Sequence, residues 1–305
     1  MYNNYSNYTA QKKEGSQVKL STKKAVTGIS LVAPLLAGCI LFYAYPLIQV
    51  FIRSITTGIG PMQKYVGFEH YEGMFRNSLF LRASKNTFRF LVLALPIILI
   101  LSLWIALTLK SGAEKRPWLK SVLLSPYVMP VAGTVMLIEH LFASTGIVNR
   151  GLYVLGLPVT DWLNSHWAFP VMILLYLWKN TGYAVILLLS GLNTIPAQQY
   201  DAASIDGASR LKQLWHITLP QMWYSFFFTT VFSLINAFKC FREIFLLGGT
   251  HPHDSIYMLQ HFINNAFEKM SYNKLAVASI SLLVVLTVVF ALFYRIAMRK
   301  EAYKG

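Results

Sequence analysis

The chain has 305 residues, of which 55% are hydrophobic and 13% charged, with a formal net charge of +15. A soluble domain carries nearer a quarter charged residues, so the composition excludes an ordinary water-soluble protein. The basic excess sits in short segments flanking apolar runs, as in a membrane protein, and forms no stripe of the kind that binds nucleic acid. Cys39 and Cys240 both lie in apolar stretches, which suggests neither a disulfide framework nor a metal cluster.

The first seventeen residues are polar and without apolar periodicity. Residues 1–24 are therefore expected to be a mobile tail, and residues 25–305 a single all-α membrane domain. About 20 apolar residues cross the hydrocarbon core. Six runs qualify: Val26–Phe51, Thr87–Leu109, Leu119–Phe142, Trp167–Ser190, Trp223–Leu247 and Leu275–Met298. The first contains Leu36-Ala37-Gly38-Cys39, which looks like a lipoprotein processing box. The run continues apolar to Phe51, however, and reads as a span and not a signal core. Pro126 and Pro130 in the third run predict kinks rather than a break.

Six spans put both termini on one side. That side holds fifteen basic residues, among them Lys23, Lys24, Lys115, Arg116, Arg210, Lys212 and Arg299, against nine on the other. The bias places the termini in the cytoplasm.

The fourth loop, residues 191–222, is long for a connection in a helical bundle. Thr194 or Asn193, with Pro196, predicts a helix start, Gly207 a left-handed stop and Ser209 a second cap. Leu211, Leu214 and Trp215 share one face of the second helix and are expected to pack onto the chain's own spans. A structured loop with an apolar face needs a partner, either a protein surface or the lipid interface.

This loop resembles the signature of permease subunits of ATP-binding-cassette (ABC) importers. That pattern is Glu-Ala-Ala, three residues, Gly, nine residues, Ile, one residue, Leu-Pro. Here Asp201-Ala202-Ala203, Gly207, Ile217 and Leu219-Pro220 match it, with Asp201 in place of glutamate. Ile205-Asp206-Gly207-Ala208 and Ile217-Thr218-Leu219-Pro220 resemble the carbohydrate-uptake, maltose-type branch. So do Pro34, Tyr45-Pro46 and Ser54, Gly67-Phe68 with Tyr71, and Asn86-Thr87. Gly248-Gly249 resembles the end of the fifth span, although Thr250-His251-Pro252 departs from the family there.

The resemblance implies a six-transmembrane-helix type I permease bundle with a cytoplasmic helix-Gly-helix coupling loop. Asp201, Ala202, Ala203, Asp206, Gly207, Ile217, Leu219 and Pro220 would dock that loop on an ATPase. It also implies the partners: a second homologous permease in a heterodimer, two cytoplasmic ATPase subunits and an extracytoplasmic solute-binding protein, in a bacterial cytoplasmic membrane. The chain has no Gly-x-x-x-x-Gly-Lys-Ser/Thr loop, so ATP and magnesium are expected on the ATPase subunits and no cofactor or enzymatic role on this chain. The alternatives are a permease of this fold for a non-sugar solute and an ion-coupled secondary transporter. The latter would show matched repeats, and none is visible.

Ionisable and hydroxyl-directed groups at membrane depth are candidates for the substrate path. They are Glu139, Lys179, Asn180, Tyr183, Asn236, Phe238, Lys239, Phe241 and Arg242. Glu139 is a possible partner for Lys179, and Arg242 and Glu243 stand near an expected outer interface. His251, His253 and His261 have no spacing that fixes a metal geometry, so no metal site is expected.

Overall fold

A computed structural model describes residues 22–58, 60–110 and 117–302. Most of the expected tail, Lys115 and Arg116 lie outside the described residues. The chain divides into two units, one up to Ile52 and one from Arg53 onward.

In the first unit, α1 (Thr22–Cys39) runs through a π turn (Ile40–Ala44) into α2 (Tyr45–Ile55). The turn has a cause in the sequence. Pro46 has no N–H, and its ring crowds the carbonyl four residues back. The helix widens there, and the Tyr45 N–H bonds Ile40 O, the five-residue spacing of a π turn. No side chain from residue 28 to 52 is buried, which suits an apolar helix surrounded by lipid or protein.

The second unit opens with a two-strand hairpin, β1 (Thr56–Thr57) and β2 (Lys64–Tyr65), with Thr56 opposite Tyr65. The helices that follow are α3 (Glu69–Phe75), α4 (Ser78–Leu109), α5 (Pro117–Val128), α6 (Val131–Phe142) and α7 (Ile147–Val154). Then come α8 (Ala168–Asn193), α9 (Ala197–Ile205), α10 (Arg210–Gln213) and a π turn (Leu214–Thr218). The chain ends with α11 (Leu219–Gln221), α12 (Trp223–Lys239), α13 (Phe241–Gly248), α14 (Leu259–Glu268) and α15 (Tyr272–Ala302).

Five described segments are long and apolar enough to cross a membrane: Gly28–Ile55, Ser78–Leu109, Val131–Val154, Ala168–Asn193 and Tyr272–Arg295. The run expected as one kinked helix from Leu119 to Phe142 is in fact broken. Pro130 is extended (φ −57°, ψ 146°) and stands at the N-cap of α6. The residue before a proline is pushed away from helical geometry, so α5 stops at Val128. The run expected from Trp223 to Leu247 is likewise two helices, α12 of 17 residues and α13 of 8, which meet at Cys240.

Helix α8 is the most buried of the five segments and organises the unit. Small residues let its neighbours approach. A Cβ on Gly182 would overlap the Leu123 carbonyl of α5, and one on Gly191 would overlap the Ser225 side chain of α12. The buried Tyr176 hydroxyl donates to Ser233 O at 2.8 Å, and its ring meets Phe90 of α4 edge-on at 5.4 Å. Hydroxyls along these helices bond back to carbonyls of the preceding turn, as Thr181 does to Leu177 O (2.6 Å) and Thr230 to Phe226 O (2.7 Å). These hydroxyls are thus satisfied without water, as hydrocarbon requires.

Between α13 and α15 the chain leaves the bundle through α14. Asn86 of α4 donates to Asp254 O (2.7 Å) and Tyr257 O (3.0 Å), and the Thr87 hydroxyl accepts the Leu259 N–H (2.9 Å). Arg82 pairs with Asp254. His261 is fully buried, with Nδ1 accepting the Met258 N–H at 3.2 Å and its ring edge-on to Phe241 at 4.7 Å. Burial first, and the charge of His251 second, push its pKa down to about 4.

Replacing Gly182 with leucine is expected to force α5 off α8 and to cost about 1–3 kcal/mol through overpacking, read as a lower melting temperature of the purified protein. His261 provides a pH test. Its folded pKa of about 4 lies below the ordinary 6.5, so between these values the unfolded chain binds a proton that the folded chain does not. Stability should therefore fall as pH drops from 6.5 toward 4, by up to about 1.4 kcal/mol per pH unit. A His261→Gln variant should show a flatter acid limb in thermal melts taken across that range.

Candidate functional site

Two regions gather the residues singled out by the sequence. The first is the helix–glycine–helix element between α8 and α12. Asp201, Ala202 and Ala203 lie on α9, which ends at Ile205, and Gly207 follows with φ +77°. A Cβ there would meet nothing within 4 Å, so the requirement for glycine is conformational. Ser209 accepts the Lys212 N–H at 3.4 Å and caps α10. Asn193 and Thr194, expected as caps of the first short helix, instead finish α8. The Thr194 hydroxyl donates to Gly191 O at 2.8 Å, and Pro196 takes the N-cap of α9.

The anchoring of this element also differs from expectation. Leu211 and Trp215 do not pack on the spans, being 64% and 62% exposed, and Ile205 is exposed as well. The contacts are made by Tyr200, Ile217 and Met222 against Val185, Leu188 and Leu192 of α8. The Tyr200 and buried Thr218 hydroxyls lie 3.0 Å apart. Leu219 and Pro220 follow the π turn in α11, and Asp201, Asp206 and Pro220 are exposed. Ile205, Leu211 and Trp215 are thus uncovered, among exposed charged residues such as Asp206 and Arg210.

The second region is a cavity of about 290 Å³ between α8, the α5–α6 break and the α12–α13 junction. It brings together Lys179, Asn180, Asn236, Lys239 and Arg242 from the sequence reading, with Tyr127, Tyr176 and Glu243. Lys179 Nζ lies 2.5 Å from Glu243 Oε1, with side-chain exposures of 14% and 5%. Glu243 is therefore buried against α8 and is the partner of Lys179, in place of Glu139. Lys179 stands about 17 Å from one end of α8 and about 21 Å from the other at 1.5 Å per residue, so the pair is deep in the bundle. Asn180 donates to Tyr176 O at 2.9 Å.

The other candidates are placed elsewhere. Tyr183 is off the cavity wall but stacks on Tyr127 at 5.0 Å. Phe238 and Phe241 line a small gap beside Phe90 and Met258. Glu139 is exposed on α6 and does not line the cavity. A larger depression of about 510 Å³, by α3 and the start of α15, is bordered by charged residues such as Glu69, Arg76 and Lys274. It lies away from the deep ion pair.

The family of binding-protein-dependent transport system inner membrane components matches residues 72–301, which takes in both regions. The chain belongs to that family. It is an inner-membrane permease component of a binding-protein-dependent importer. Curated relatives include the arabinooligosaccharides transport system permease of Bacillus subtilis, 30% identical, covering 92% of this chain and 91% of the relative. The sulfoquinovosyl glycerol transport system permease of Agrobacterium fabrum is 29% identical, with 86% and 88% covered. The lactose transport system permease of Rhizobium radiobacter is 28% identical, with 90% and 95% covered. Among solved structures, a chain of a bacterial alginate ABC transporter superposes with a TM-score of 0.78 at 22% identity, covering 91% of this chain and 96% of that one. It has the same fold.

Tyr127 and Tyr176 of this permease's cavity were not among the sequence candidates, and Glu243 was expected near an outer interface. Tyr127 had a local signal, since it lies between Pro126 and Pro130. The inward position of Glu243 had none, because cross-helix pairing leaves no trace in nearby residues.

Lys179→Met would leave a buried carboxylate unpaired and is expected to cost about 3–5 kcal/mol. Lys179→Met combined with Glu243→Leu removes both charges and should recover most of that loss. Thermal melts of the two single variants and the double variant form the cycle that checks this.

Proposed function

We propose that this permease, with a second homologous permease, forms an alternating-access path for a sugar or oligosaccharide. The relatives' sugar substrates and the cavity's amide and hydroxyl groups support the saccharide assignment. In this reading α12 and α13 together make the sixth crossing, and both termini are cytoplasmic. An extracytoplasmic binding protein delivers the solute, and two cytoplasmic ATPase subunits hold ATP and magnesium. This chain hydrolyses nothing itself.

One observation carries the coupling role. The element from Asp201 to Pro220 is fastened on one side by Tyr200, Ile217 and Thr218, while Ile205, Leu211 and Trp215 are left uncovered on the other. An apolar face of this kind, held by a rigid base, fits insertion into a cleft on the ATPase. Asp201 adds an exposed carboxylate for a basic partner. ATP binding would draw the ATPases together, carry the docked elements with them and shift the spans between inward-open and outward-open states.

Gly207 supplies the test. Valine at φ +77° is strained by about 1–2 kcal/mol or more, whereas asparagine tolerates that region. Gly207→Val is expected to leave ATP hydrolysis by the assembled complex running while ATP-driven uptake falls about tenfold or more, and Gly207→Asn to retain uptake. Full uptake in the valine variant would count against docking through this bend.

A further inference from the structure

The cavity has a charge that its ion pair does not cancel. Lys239 ends α12 and Arg242 lies in the first turn of α13, and both line the cavity. Among the described residues neither has an ion-pair partner. The Glu243 carboxylate is engaged by Lys179, and Glu139 is not on the wall. This wall therefore carries two cations without an ion-pair partner against one carboxylate, which Lys179 engages through Oε1 while Oε2 is left without a hydrogen-bond partner.

Their depth makes this informative. Glu243 meets α8 near its middle, and Arg242 is its neighbour in the chain. A cation at that level does not face lipid without large cost, so it faces a water-filled path or a protein group. The first turn of α6, at Pro130 and Val131, borders the same cavity, and its free N–H groups add to the positive potential. Beside the cations stand groups suited to hydroxyls. The Asn236 amide has no hydrogen-bond partner among the described side chains, and Asn180 uses only its N–H on Tyr176 O. The stacked Tyr127–Tyr183 pair offers an aromatic face.

We propose that this cavity selects saccharides bearing a carboxylate or sulfonate. The acid group would be held by Lys239 and Arg242, the latter with the forked geometry that suits two anionic oxygens, and the hydroxyls by Asn180 and Asn236. The proposal rests on the saccharide-permease reading above and adds the sign of the charge.

The test uses the full complex, comprising this chain, its partner permease, the ATPase subunits and the binding protein, reconstituted in vesicles. ATP-driven uptake of labelled digalacturonate is measured beside that of a neutral digalactoside of the same linkage. The wild-type complex is expected to import the uronate. Lys239→Gln with Arg242→Gln should lower the ratio of uronate to neutral uptake about tenfold or more, and Lys239→Arg with Arg242→Lys should keep it. If the double glutamine variant fails to assemble, the single Arg242→Gln variant is read for the same fall in ratio. An unchanged ratio, or import of the neutral sugar without the uronate, would overturn the proposal while leaving the saccharide reading intact. Import of neither sugar would overturn both.

Discussion

The Lys179–Glu243 ion pair is the contact on which the arrangement of the bundle's centre depends. It joins α8 to α13 deep in the bundle, with both side chains largely buried. A buried pair adds little net stability, because the attraction mainly offsets desolvation. What it supplies here is register. With Glu243 held against the middle of α8, α13 continues from the turn at Cys240, and Lys239 and Arg242 line the cavity. The Tyr176–Ser233 bond holds α12 to the same helix one turn away. Together these two contacts fasten both halves of the α12–α13 run to the most buried helix.

Much of this was legible in the sequence because local rules decide it. Hydrophobic length marked four of the long apolar helices, the Gly207 bend followed from its place after a short helix, and Ser209 capped as its residue type suggests. The failures share a different origin. Leu211 and Trp215 were expected to pack inward because apolar residues usually do, yet the fold leaves both exposed. Thr194 is a good cap by type, but α8 continues far enough to use it as a terminator. Pro130 was expected to kink a helix, and with Pro126 four residues earlier the backbone opened instead. The choice of Glu243 over Glu139 as partner of Lys179 is a property of helix packing, and a single sequence does not record it.

Asn86 and Thr87 show how a family-like dipeptide acquires a physical meaning. Read in sequence, they stood at the start of an expected span. In the fold they reach across to Asp254, Tyr257 and Leu259 and tie α4 to the loop that leads into α14. The loop between the last two long helices is thereby fastened to the bundle rather than left as a tether.

The two π turns have one more consequence. Each ends two residues before a proline, Pro46 in one case and Pro220 in the other, so one chemical cause produced the same widening twice. A π turn is in effect an inserted residue, and it advances the phase of everything beyond it by about 100° relative to an unbroken helix. The turn at Leu214–Thr218 stands between α10, which carries the exposed Leu211, and α12. It therefore acts as an angular offset, setting the azimuth of the exposed Leu211 side chain relative to α12. Shortening the turn by one residue would rotate the segment before it by about 100° relative to α12.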